Sequence, residues 1–476
     1  MPDLSGTGAP DGELAIVLHT HMPYVEGFGT WPFGEEWLFE AIAGSYVPLL
    51  DVLDGGAPLT LSLTPVLADQ LEAPGVGDRF LAFVREVRAE THARDIAGCR
   101  AGGEEAMARE LERSAAEYRD VATRFEALGD GGLLGALAPH ASWTSSATHA
   151  VLPLLATDAG LGLQLATGIA SHRLRAGGWD GGLWLPECAY DPELDPVLAD
   201  AGVRACCVDL TDVLGRGAAG HLRPLRTAAG TLLAPLDREL IELAWSDAGY
   251  PAAGAYRDYH HLTTHHHRVW GNDGGLYDRE RALAAARGHA AGFVAAARAR
   301  LAAGSAELGA PALAVVAFDT ELLGHWWYEG VAWLSAVLDE AQRQGLALSR
   351  LDDALARRPA APAPAALPAT SWGRPRTLAT WSGPRVARFA WRARAAELRT
   401  VAAGRAAGER AARELLALQS SDWAFLADRE LAAGYPEERA AGHARALDAA
   451  LADVDCLPPR LRNLAPHLDL APLRQP

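Results

Sequence analysis

An α/β architecture on a parallel sheet, open or closed into a barrel, is what this 476-residue chain predicts, and three observations carry the prediction. Short apolar runs recur, and they are continuous rather than alternating, as strands buried on both faces are. Each run is followed by a stretch with helical spacing. Several runs end in an ionisable residue, and the C-terminal ends of parallel strands are where such folds bind ligands and do chemistry.

The runs are, in order, "LAIVLHTH" (14–21), "LTLSLTPVL" (59–67), "LLGALAPHA" (133–141), "GGLWLPECAY" (181–190), "VRACCVD" (203–209), "TLLAPLD" (231–237) and "ALAVVAFDT" (312–320). They end in or near His19 and His21, His140, Glu187, Asp209, Asp237 and Asp319, a set of acids and imidazoles that reads as one constellation. Between the second and third runs, residues 78–128 are densely charged at helical spacing and read as a helical excursion. Residues 355–370, "LARRPAAPAPAALPAT", have the composition of a semi-rigid connector. Residues 385–450, rich in Ala, Arg and Leu at helical spacing, read as a helical bundle. No internal repeat is visible.

Composition narrows the function. A formal charge of −17 repels nucleic acid and acidic membrane surfaces, so a neutral or cationic partner is expected. Five cysteines, scattered and without CxxC spacing, argue against a disulfide framework and a structural zinc site and fit a reducing cytoplasm. The first twenty-one residues hold no basic region and only a short apolar run, so neither signal peptide nor membrane anchor is expected.

In "HTHMPY", strand alternation points His19 and His21 the same way, as metal ligands or as a hydrogen-bonded pair. Glu187 follows a strand bounded by Gly181, Gly182 and Pro186. Its neighbours Trp184 and Tyr190 fit a sugar site, because aromatic faces pack on pyranose rings while carboxylates meet hydroxyls. In "AVVAFDTELLGHWWYEG", Asp319 ends a buried run, Glu321 follows, and His325, Trp326 and Trp327 are placed to shape a cleft wall. Two carboxylates from different strands facing one cleft are what glycosidic chemistry requires: one protonates the departing oxygen, and the other attacks or activates water.

Taken together, "HTHMPY", "SSATHAVLPLL", "LWLPECAY", "AFDTELLGHWW" and "SWGRPRTLATW" resemble, in order and context, the motifs of glycoside hydrolase family 57. With "WPFGEEWLFEAI" and "LQSSDWAFL" the likeness extends from about Leu14 to Leu451 and is to the family's α-1,4-glucan branching enzymes. The resemblance implies a distorted (β/α)7 barrel over 10–355, a small helical insertion at 75–130, a connector at 356–371 and a C-terminal α-helical domain at 372–476. It implies retention without metal or cofactor, with Glu187 as nucleophile, Asp319 as general acid/base, and His19, His21 and His149 lining the donor subsite. Trp31 matches an aromatic near the cleft entrance, Arg268 a substrate-contacting arginine, Trp372 and Trp381 the tryptophans around "SWG", and Asp422 the acid of "SDW". Glu321 is left a supporting role. The partner implied is an α-1,4-glucan. A monomer is expected.

Two departures stand out. Arg374 and Pro375 replace the glycines usual after "SWG", which is expected to reshape the acceptor side. The stretch "LRTAAGTLLAPL" before Asp237, Arg238 and Glu239 lacks the lid tyrosine of the family, so more hydrolysis or less branching is expected. The histidines of "HHLTTHHHR" (260–268) read as a solvated loop with one useful member, Arg268. Other readings are an α-amylase or 4-α-glucanotransferase of the same family, a metal-dependent polysaccharide deacetylase using His19 and His21, and a non-catalytic glucan binder.

Overall fold

The computed structural model describes residues 12–30, 33–452 and 461–474. Its strands are β1 (Glu13–Thr20), β2 (Thr60–Leu63), β3 (Ala141–Ser145), β4 (Gly182–Trp184), β5 (Ala205–Val208), β6 (Leu225–Arg226), β7 (Leu232–Pro235), β8 (Leu313–Asp319) and β9 (Ala361–Pro362). They lie in the order β8-β1-β2-β3-β4-β5-β7-β6-β9. From β8 through β7 every neighbouring pair is parallel. One backbone hydrogen bond, from Asp237 N–H to the Val315 carbonyl at 2.8 Å, links the residues just past β7 to β8. Seven parallel strands thus curl into a barrel closed by a single bond rather than a ladder, which is the distortion.

β1 is buried along its whole length, and so is β8 except for Asp319 at its end, which explains their unbroken apolar sequences. The register sets His19 beside Asp319 on one side and beside Ser62 on the other. Partners in a parallel ladder project to the same face, so all three reach the C-terminal mouth together.

One strand lies elsewhere than the apolar runs suggest. "LLGALAPHA" holds the helix Gly132–Leu137 and a 3-10 turn, and β3 is the next segment, "ASWTS". A short apolar run does not by itself separate a buried strand from a helix. His140 consequently precedes its strand, bonds Asp54 at 3.1 Å, and does not belong to the mouth.

The excursion forms the helices Val76–Ala82, Ala89–Ala101 and Glu105–Glu126. After the barrel come Ala387–Ala403, Glu409–Leu418, Asp422–Asp428 and Tyr435–Leu451, packed around Leu415, Leu416, Trp423, Ala440 and Leu447. The Pro/Ala-rich connector is threaded rather than free. Ala361 and Ala363 donate to the Pro224 and Arg226 carbonyls, while Pro362, which has no N–H, falls between them. Among the described residues no helix is long and apolar enough to cross a membrane.

Candidate active site

Two short backbone pairings assemble the site from distant segments. Thr370 exchanges both hydrogen bonds with Tyr190, at 2.8 and 2.9 Å, and Trp372 N–H donates to the Glu187 carbonyl at 3.0 Å. The connector therefore delivers "SWG" against the turn carrying Glu187. Similarly, Ser421 N–H donates to the His149 carbonyl at 3.1 Å, beside an isolated bridge between Ala150 and Ser420, which docks the C-terminal helices onto the loop after β3.

Glu187 and His149 both hold positive φ, 62° and 59°. Non-glycine residues pay for that conformation, and such strain gathers where a side chain must be aimed. Glu187 accepts from Trp372 Nε1–H at 3.1 Å on Oε2 and from Ser421 Oγ–H at 3.0 Å on Oε1. Burial pushes its carboxyl up to about 7, with the two donors pulling it down and Asp422 adding to the rise. Among the described residues Asp319 has no such donor. Burial, then the charges of Glu321 and Glu187, hold it well above the usual carboxylate range.

Glu321 is 6% exposed and accepts from Tyr46 O–H at 2.5 Å and from His21 N–H at 3.2 Å. Burial lifts it to about 7 against the pull of Tyr46. Tyr46 reaches it because Gly324, at φ 103°, lies against Gly44, where a Cβ would strike the Gly44 carbonyl oxygen.

The three histidines stack: His21 on His149 at 4.0 Å between centroids, His19 on His149 at 5.0 Å, and His19 on Trp184 at 4.5 Å. Burial, reinforced by neighbouring imidazoles, holds His19 and His149 well below the ordinary histidine range. His21 differs. Burial opposes its charge, but Asp422 at 3.0 Å overcomes this and raises it. Among the described residues no group of three His, Cys, Asp or Glu side chains is arranged to hold a metal ion, and His19 and His21 spend their ring nitrogens on Ser62, His149, Thr64 and Asp422.

The remaining sequence candidates divide. Trp184, fully buried, and Trp372 meet edge to face at 5.0 Å beneath Glu187. Trp381 is 2% exposed in the helical core, its six-membered ring against Gly373, so it backs the "SWG" turn instead of facing the cleft. Trp326 is 49% exposed and packs on Tyr259 at 4.8 Å, whereas Trp327 is core, beside Trp333 and Tyr256. Arg268 lies 3.9 Å over the Tyr259 ring and donates to the His325 carbonyl. Burial, then Arg268, lowers the His325 imidazole to about 4. Trp31 lies outside the described residues.

Three expectations change. The histidine loop is solvated at His260, His261 and His266 but pinned at its other two histidines. His265 bonds Asp95 of the helix Ala89–Ala101 at 2.6 Å, and His267, 4% exposed, packs tilted against His92 at 3.6 Å, anchoring Arg268 to the insertion. Asp209 and Asp237 are structural. Asp209 pairs with Arg238, which also donates to the Trp372 carbonyl, while Asp237 caps the helix Arg238–Ala244 and pairs with Arg300. "LRTAAGTLLAPL" is the tight β6–β7 hairpin, bonded Thr227 to Thr231, and its tip precedes β7 at the end of the barrel opposite Glu187. The missing tyrosine there does not concern the cleft. Trp245 and Tyr259, beyond β7, are the aromatics on the cleft side, Trp245 packing on Trp372 at 5.5 Å. Beside the turn, Arg376 is drawn to Asp209 at 3.2 Å and to Asp212.

Residues that sequence reasoning missed are Ser62, Tyr46 and Ser421. Only Ser421, in the quoted "LQSSDWAFL", had a signal.

Residues 143–272 match the model of glycosyl hydrolase family 57, and residues 387–457 match that of the 1,4-alpha-glucan branching enzyme C-terminal region. A probable 1,4-alpha-glucan branching enzyme of Mycobacterium tuberculosis is 34% identical over 483 residues, 91% of each chain. The 1,4-alpha-glucan branching enzyme of Thermococcus kodakarensis is 31% identical over 91% of this chain and 72% of its own. The crystal structure of a branching enzyme of this family from Pyrococcus horikoshii superposes with a TM-score of 0.88 at 30% identity, covering 97% of both chains.

Proposed function

This chain belongs to glycosyl hydrolase family 57, and from that premise we propose that it is a 1,4-α-glucan branching enzyme working by retaining double displacement. The observation that supports it best is the unequal pair of buried carboxyls from β4 and β8: Glu187, with two donors, is the readier to ionise, and Asp319, with none among the described residues, keeps its proton. Glu187 attacks the anomeric carbon of an α-1,4-linked chain while Asp319 protonates the departing oxygen. Asp319 then takes the proton of an acceptor 6-hydroxyl, which displaces Glu187 to form an α-1,6 branch.

In this reading the stacked histidines and Trp184 with Trp372 line the donor sugar, Asp422 holds His21 toward it, and Arg268, His325 and Trp326 form a wall further along. Trp31 keeps its sequence-based assignment, whereas Trp381 supports the "SWG" turn through Gly373 instead of contacting sugar. Amylose- or glycogen-type polymers are the substrates. A cytoplasmic location accords with the free Cys99, Cys188, Cys206 and Cys207.

Incubation with amylose, followed by debranching with chain-length analysis and by reducing-end counting, tests the proposal. New α-1,6 linkages without a matching rise in reducing ends are the expected result. Reducing ends alone would make the chain an amylase, α-1,4 products of redistributed length a glucanotransferase, and an unchanged polymer a binder.

A further inference from the structure

Four hydrogen bonds run in series from β2 to Glu187, and their direction follows from the donors available. An ionised Glu187 can only accept, so Ser421 O–H donates to its Oε1 at 3.0 Å. Serine has one proton to give. At the 2.9 Å contact with His149 the serine oxygen is therefore the acceptor, and His149 Nδ1 carries the hydrogen. His149 is neutral, so its Nε2 holds a lone pair, and across the 3.0 Å contact His19 Nε2–H is the donor. His19, likewise neutral, keeps its lone pair on Nδ1 and accepts from Ser62 O–H at 3.3 Å.

We propose that Ser62, His19, His149 and Ser421 form a one-way donor relay that holds Glu187 as a carboxylate with its Oε1 fixed in orientation. The proposal rests on Glu187 being the nucleophile. Each bond in such a chain polarises the next, so the last donation is stronger than that of an isolated serine. Reversal requires both imidazoles to exchange tautomer together. Protonation of Glu187 leaves the Ser421 hydrogen only the weaker acceptor of a neutral carboxyl, a cost that falls on the neutral form alone. All four relay residues are at most 3% exposed, so bulk water supplies no replacement partner.

The other groups facing Glu187 are Asp422, which raises its carboxyl, and His21 and Trp372, which lower it; its own charge acts on Asp319 in turn. None of these lies in the relay. Ser62 and Ser421 are thus positioning residues, and Ser421 couples the nucleophile to docking of the C-terminal helices.

The test is the pH profile of kcat/KM on amylose. Ser421→Ala is expected to move the acid limb up by about one to two pH units, the size of one lost hydrogen bond to a charged group, and Ser421→Thr to restore it. Ser62→Ala, two imidazoles away from the carboxyl, is expected to move the limb the same way by less. Nitrogen NMR of the unmodified protein is expected to find the hydrogen on Nδ1 of His149 and on Nε2 of His19. Unmoved limbs in both alanine variants, or the opposite tautomers, overturn the relay. Trapping with a fluorinated α-maltosyl fluoride separates the two assignments: a label on Glu187 beside unmoved limbs sinks the relay alone, and a label on another carboxylate sinks the nucleophile assignment.

Discussion

Replacing Trp372 with Phe removes one atom group that matters, the indole N–H that donates to Glu187 Oε2 at 3.1 Å, and leaves an aromatic ring against Trp184 and Trp245. A hydrogen bond to a charged group contributes about 1.5–3 kcal/mol, and each pKa unit corresponds to about 1.4 kcal/mol. Its loss should lift Glu187 by about one to two units. The direction follows from the donor favouring the ionised form only. Burial already holds this carboxyl at about 7. At neutral pH the ionised fraction therefore drops from about half to between roughly a tenth and a hundredth, and kcat/KM falls some 5- to 50-fold. The deficit should shrink as pH rises. Measured on amylose across about pH 5 to 9, the acid limb is expected to shift upward with the plateau less affected. An acid limb that stays in place or moves down, with the variant folded, would refute the reasoning, because the N–H would then not be acting on the nucleophile.

The other expectations concern the same cluster. Glu187→Gln and Asp319→Asn should each lower amylose turnover by at least about a hundredfold with circular dichroism unchanged, since each removes a group that carries out a step; near-normal turnover in either would remove its role. Glu321 is raised from the usual range to about 7, so its contribution to stability is complete at acid pH and lost as pH rises through that value. Glu321→Gln keeps the oxygen that accepts from Tyr46, and its urea midpoint should change less between acid and alkaline buffer than that of the parent protein; equal slopes would contradict this. Trp326→Ala should leave the melting temperature within about a degree or two, since an exposed side chain is being trimmed, and should raise KM for long glucans more than it lowers kcat. Asp422→Asn removes the charge that raises His21, so a proton titration of His21 should move to lower pH.

Six of the seven parallel barrel strands were legible because they are continuous apolar runs of strand length. The third was not: the longest apolar run in its neighbourhood is a helix, and β3, "ASWTS", owes its burial to both faces being covered rather than to greasy residues. The two-residue strands β6 and β9 carry no pattern at all. In the site, Glu187 and Asp319 stood out through their strand-end positions and motifs. Ser62 and Tyr46 did not, since each is an ordinary residue whose meaning comes from a distant partner: His19, 43 positions before Ser62, and Glu321, 275 positions after Tyr46. The histidine loop was misjudged for the same reason, as Asp95 lies 170 residues before His265. Trp326 and Trp327, adjacent and chemically alike, differ only in which way a turn aims them, and nothing local records that.

The charge balance of the cluster explains why four carboxyls can share so small a space. Burial raises Glu187, Asp319 and Glu321 alike, because each desolvated charge raises the cost of the next. His21 is the one imidazole of the three whose charge is favoured, and it is committed to Asp422 at 3.0 Å. His19 and His149 stay neutral and so contribute hydrogen bonds without a compensating positive charge. Of the remaining three acids, only Glu187 has donors on both oxygens among the described residues, and Asp319 has its charge opposed by two neighbours. In the proposed mechanism the arrangement leaves a negative charge where an oxocarbenium-like centre develops and a proton where a leaving oxygen is met, before any substrate arrives. Had His19 or His149 been charged, that centre would face a cation instead, so the burial that keeps them neutral belongs to the chemistry as much as the two acids do.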